Sequence, residues 1–168
     1  MDATIATFLI QDGVTNGAIY ALLGLALVLV FAVTRIIFIP QGEFVAYGAL
    51  SLALLDEGKV PGTAPMLVAF GAAALLLDLW QMRRDFQLSS LVRALAANVA
   101  VPVAIYALLA LTAPLELPSL LRAALAVLLI APMGYYIYRI VYRPLVDASV
   151  LVLLIASLGV HLVMMGLG

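Results

Sequence analysis

Residues 13–34 read GVTNGAIYALLGLALVLVFAVT, without a single Lys, Arg, Asp or Glu. An α-helix rises about 1.5 Å per residue, so about 20 apolar residues cross the roughly 30 Å of hydrocarbon in a bilayer. Lipid offers the backbone no hydrogen-bond partner, so such a run must satisfy its own N–H and C=O groups, which a helix does. Three further stretches, 94–115, 123–138 and 148–168, are equally free of Lys, Arg, Asp and Glu.

The composition agrees. Hydrophobic residues make up 67% of the chain and charged residues 10%, against about 45–50% and about 25% in soluble domains. The net charge of −1 leaves no footprint for nucleic acid. Cysteine is absent, which removes disulfides, thiolate metal sites and thiol nucleophiles. The first block is too long for a signal peptide and is preceded by Asp2 and Asp12 rather than by Lys or Arg, so it reads as a retained span.

The pattern predicts an all-α polytopic transmembrane helix bundle of six spans, at 13–34, 36–55, 63–79, 94–115, 118–138 and 148–168. The second is expected to be broken near Pro40-Gln41-Gly42-Glu43. The third carries Pro65 and ends at Asp78, which reads as an interfacial residue, with Trp80 placed as an interfacial anchor. Pro102 and Pro132 fall inside the fourth and fifth blocks, where membrane bundles tolerate a kink. With alternating spans, Arg35, Arg83, Arg84, Arg93, Arg139 and Arg143 fall on one face and only Lys59 and Arg122 on the other. Positive residues stay cytoplasmic, so the N-terminus is expected outside and Arg139, Arg143 and Pro144 in a cytoplasmic loop. The last block runs straight into Gly168 with no polar tail, as in the first half of a longer protein.

Small residues mark expected packing faces. Gly13, Gly17, Ala21 and Gly24 share one face of the first helix, and Gly42, Ala46, Ala49 and Ala53 one face of the second. Such faces let two helices approach closely, here as an antiparallel hairpin turning at Arg35.

Glu43 carries the most weight: with the second helix starting near Ile36 at the cytoplasmic side, it lies roughly 10 Å into the bilayer. By default such a residue marks a pathway or binding site. Pro40 removes a backbone donor and Gly42 frees the backbone, as in the broken helices that line transporter cavities. Gln41 supplies an amide, and Tyr47 lies four residues on, on the same helix face as Glu43. Asn16 faces either a neighbouring helix or a vestibule. Glu43 equally fits a cap at a helix start, paired with Arg35. The lone His161 reads as a packed histidine, and no metal or other cofactor is expected. No phosphate-binding Gly-Lys-Ser/Thr loop and no nucleophile elbow occurs, so an enzyme is not expected.

Several stretches resemble branched-chain amino-acid ABC importer permeases. They are Asn16-Gly17-Ala18-Ile19-Tyr20-Ala21-Leu22, Val30-Phe31, Arg35-Ile36-Ile37, Gln41-Gly42-Glu43-Phe44, Tyr142-Arg143-Pro144-Leu145 and Leu153-Leu154-Ile155-Ala156-Ser157-Leu158-Gly159. The likeness covers about 11–55 and 116–168, in matching order. Where the family commonly has Asn-Phe-Ala-His before Gly-Glu-Phe, this chain has Phe38-Ile39-Pro40-Gln41, and Gln41 hydrogen-bonds but does not titrate as histidine does. Residues 64–113 look like an inserted hairpin at the bundle's edge, since many relatives pass more directly to the block near Leu117. The chain reaches about halfway through a family member.

The resemblance implies a permease subunit in the bacterial inner membrane. Its partners would be a second permease subunit, two cytoplasmic ATPase subunits and a periplasmic substrate-binding protein, with ATP hydrolysed on the partners. Two other readings stay open: an ion-coupled secondary carrier using Glu43, and a noncatalytic membrane scaffold built on the small-residue faces.

Overall fold

A computed structural model describes residues 3–82 and 88–168. The expected loop arginines Arg83 and Arg84 lie outside them. The described residues form helices and connections, with no strand among them. The helices are α1 (Ala3–Thr34), α2 (Gln41–Asp56), α3 (Thr63–Met82), α4 (Leu88–Leu95), α5 (Val101–Thr112), α6 (Ser119–Ile137) and α7 (Val150–Leu167). A π-helical turn, Ala96–Ala100, joins α4 to α5 in one rod. A second, Tyr138–Tyr142, carries α6 on into a 3₁₀ turn, Arg143–Leu145. Five helical stretches are long and apolar enough to cross a membrane: Thr4–Thr34, Thr63–Met82, Leu91–Thr112, Ser119–Leu145 and Val150–Leu167.

The sixth expected span differs. Residues 35–38 take no regular structure and helix begins only at Gln41, so the second segment is not a helix broken in its middle. The residue before a proline is pushed out of the α region, and Pro40 has no N–H to give a preceding turn. What remains is 16 residues, roughly 24 Å of helix. Conversely, α3 is longer than expected and has 20 residues, enough to cross. The first helix also starts earlier, taking in Asp12. Charge ended the expected spans, but one charge near an end does not stop a helix.

The chain divides into two compact units, residues 1–41 with 149–166, and residues 42–148 with 167–168. The first holds α1, the turn after it and most of α7. Arg35 ends α1 with a φ of 59°, a left-handed conformation usually left to glycine. Its N–H still reaches the Phe31 carbonyl at 2.8 Å. The Thr34 hydroxyl accepts from the Ile36 N–H at 3.2 Å, which turns the chain.

In the second unit α3 packs against α6 and against the α4–α5 rod. Its buried residues, Ala64, Leu67, Gly71, Ala74 and Asp78, fall at helical spacing along one stripe. The segment expected at the edge as an inserted hairpin, 64–113, thus supplies the main packing partner of α6. The α2–α3 connection is a Schellman turn: Gly58, at φ 71°, donates to the Leu55 carbonyl and Lys59 to that of Leu54. Ser51 and Thr63 share a hydroxyl–hydroxyl bond of 2.7 Å that ties α2 to α3.

Candidate functional site

The two π turns have a common cause. Val101 N–H donates to Ala96 C=O, five residues back, and Pro102 follows. Arg143 N–H donates to Tyr138 C=O, again five back, and Pro144 follows. A proline in a helix lacks the N–H and crowds the carbonyl four residues before it, and a locally widened turn relieves that crowding. The Ala97 carbonyl is left without Val101, and Pro102 has no N–H to offer it. The Tyr136 hydroxyl donates to it instead, at 2.7 Å.

Each π turn holds one member of a polar network. Asn98, 1% exposed, sits in the first and Arg139 in the second. Between them lies Asp78 of α3, at 8%. Arg139 Nη2 donates to Asp78 Oδ1 and Oδ2, each at 2.6 Å. Its Nη1 donates to Asn98 Oδ1 at 2.9 Å. Asn98 Nδ2 donates to Asp78 Oδ2 at 2.6 Å. Both Asp78 oxygens and the Asn98 amide oxygen accept a bond, which helps make a buried ion pair tolerable; breaking such a pair costs about 3–5 kcal/mol. Gly71 makes room: a Cβ there would collide with the Asn98 carbonyl and with the Pro102 ring.

Arg139, expected in a cytoplasmic loop, therefore lies within a helix, its side chain only 19% exposed and paired. Its charge ended the apolar count at Tyr138, and nothing local in sequence shows the Asp78 partner 61 positions away. Arg143 and Pro144 are exposed but also helical, in the 3₁₀ turn. Asp78, which reads from sequence as an interfacial residue, is instead buried and paired, and the sequence assigns Asn98 no role. The available signal was opposite charges, Asp78 and Arg139, at the ends of two apolar blocks assigned to one face.

The opposite end of this unit is wetter. Arg122 reaches Asp56 at 3.1 Å, and Lys59 reaches Glu57 at 2.8 Å with both side chains largely exposed. That hydrogen bond and the Glu57 charge raise the Lys59 pKa. Exposed pairs of this kind contribute little to stability.

The pathway candidates fall in two places. Asn16 is exposed on α1. Gln41, Gly42, Glu43 and Tyr47 lie in the first two turns of α2, with Glu43 in the first turn. A carboxylate there favours the positive end of the helix dipole. Glu43 is half-buried and Tyr47 is 5% exposed. Tyr47, Ser51, Thr63 and Phe70 line a cavity of about 500 Å³ between α2 and α3. On the other side of α2, Gly48 and Ala49 open on an apolar groove against Ala126 and Ile130 of α6.

The small-residue faces are open. Nothing lies within 4 Å of the place a Cβ would take on Gly13, Gly17, Gly24 or Gly42. Ala21, Ala46, Ala49 and Ala53 are exposed. In the first unit, the Ile39 N–H donates to the Ser157 hydroxyl at 3.4 Å, and Ser157 is wholly buried.

Compared with protein-family models, curated proteins and solved structures, the chain matches none.

Proposed function

We propose that the chain is a membrane permease subunit of an ATP-driven ABC importer for branched-chain or related amino acids, forming part of the translocation pathway. One observation carries the reading beyond the sequence likeness. The segment between Arg35-Ile36-Ile37 and Gln41-Gly42-Glu43-Phe44 bonds, through Ile39, to Ser157 of the Leu153–Gly159 stretch. Ile39 itself lies where the chain departs from the family, but Arg35-Ile36-Ile37 and the Leu153–Gly159 stretch, both family-like and far apart in sequence, fall in one compact unit that this bond ties together. The non-helical stretch 35–38 adds support, because irregular backbone at membrane depth persists where it is buried in protein or lines a cavity.

In this reading α2 presents Glu43 and Tyr47 towards the solute path. A carboxylate can pair with the ammonium of an amino acid, and a phenol can bond its carboxylate. The chain sits in a bacterial inner membrane with its N-terminus outside. A second permease subunit completes the pathway, a periplasmic binding protein delivers the solute, and cytoplasmic ATPases drive alternation.

Affinity purification of the full-length chain in mild detergent tests the assembly. The expected result is co-purification of an ATPase subunit and a second permease. A chain that purifies alone and reconstitutes gradient-driven uptake without ATP would overturn it in favour of an ion-coupled carrier.

A further inference from the structure

Asp78, Asn98 and Arg139 come from three helical rods, with Asn98 20 positions from Asp78 and Arg139 61 positions from it. An arginine near the end of a membrane helix ordinarily runs its long side chain out to the interface, where water solvates the charge. Arg139 does not. Its guanidinium turns inward to Asp78 and Asn98. The Asn98 amide is ordered by the charges on either side, its oxygen accepting from Arg139 and its nitrogen donating to Asp78. Both π turns are stitched at this level, the first through Asn98 and through the Ala97 carbonyl that Tyr136 holds, the second through Arg139.

We infer that Asp78 and Asn98 are positioning residues for Arg139. They hold its guanidinium between the helices, fix the depth at which the 119–145 rod ends, and so pin α3, the α4–α5 rod and α6 into one body that moves as a unit. Without Asp78 the guanidinium has no counter-charge among the described residues. It moves to water and takes the Tyr138–Tyr142 turn with it.

The chain has no cysteine, so Tyr142→Cys introduces a single thiol at a position 2% exposed. The test follows its labelling by a charged maleimide, with the whole chain in lipid nanodiscs open on both faces. Adding Asp78→Asn is expected to speed labelling at least about tenfold, because a buried charge has lost its partner. Adding Arg139→Gln as well removes that charge and is expected to bring the rate back to within about threefold of the Y142C parent, since paired residues couple non-additively. Asn98→Ala, which leaves the ion pair, is expected to fall between.

An unchanged rate in D78N, or a double variant as fast as D78N, would overturn the inference; a simple packing defect at residue 78 would not be rescued at residue 139. The same cycle is read as thermal unfolding of the cysteine-free chain should Y142C fail to fold. There the double variant is expected to melt above D78N, and a double that melts lower overturns the inference. If D78N itself gives no folded protein, recovery of folded protein in the double supports the clamp and its failure overturns it.

Discussion

The carbonyl oxygen of Asn98 occupies the place a side chain on residue 71 would need. Gly71 is therefore a point of close approach between α3 and the α4–α5 rod, and Pro102, which cannot bond that carbonyl as a helical N–H would, completes the contact. Gly71→Ala is expected to lower stability by about 1–3 kcal/mol, the usual range for overpacking a close contact. Thermal unfolding in detergent measures it. Gly13→Ala and Gly17→Ala, with nothing within 4 Å, are expected to be neutral or stabilising, because alanine is the better helix former by up to about 1 kcal/mol.

Tyr136 donates to the Ala97 carbonyl, which in the widened turn would otherwise look to residue 102, a proline with no N–H. Tyr136→Phe leaves the Ala97 oxygen without the hydroxyl that now donates to it, and is expected to cost about 1–3 kcal/mol. In a Pro102→Ala background residue 102 regains an N–H, so the same substitution is expected to cost less there. Equal costs in the two backgrounds would show that the proline does not create the need for the tyrosine. Unfolding midpoints of the four proteins decide it.

Much of this arrangement was legible in sequence, and the rest was hidden for physical reasons. Uncharged runs located the membrane-length helices, because hydrocarbon thickness sets one length scale for all of them. The same rule misplaced their ends at Asp12 and Arg139, since it treats each charge as a boundary. A paired arginine is not a boundary, and its partner lies on another helix. Pro40 was recognised as a break, but whether it kinks or starts a helix depends on Ile36–Ile39, whose apolar character fits either. Glycines at regular spacing point to packing faces, yet a tight helix–helix contact falls at Gly71 and not at Gly13 or Gly17. Spacing shows which residues share a face; only the partner shows whether that face is used.

The orientation rests on loop charge, and Arg139 now counts for less because Asp78 neutralises it. Lys59 and Arg143 remain exposed on the two sides assigned to outside and cytoplasm. The cysteine-free background allows single-thiol mapping. In intact cells K59C is expected to react with a membrane-impermeant maleimide, and R143C only after permeabilisation. The reverse pattern would put Lys59 inside and Arg143 outside and overturn the assignment of the Arg143 side to the cytoplasm.

Glu43 separates pathway from cap. As a pathway residue, Glu43→Gln is expected to reduce solute uptake at least about tenfold with little change in the melting temperature, as for intramembrane ionisable groups on a transport route. As a helix-start residue only, it would lower stability by about 0.3–1 kcal/mol through the lost dipole interaction and leave uptake intact. Uptake and melting measured on one preparation tell the two apart.

The most direct test of the importer reading is uptake of radiolabelled leucine into proteoliposomes. They would hold the full-length chain with its co-purified permease and ATPase partners, the binding protein outside and ATP inside. Uptake is expected to require ATP and the binding protein and to be indifferent to a protonophore. Uptake that proceeds without ATP and collapses with the proton gradient would contradict the importer reading.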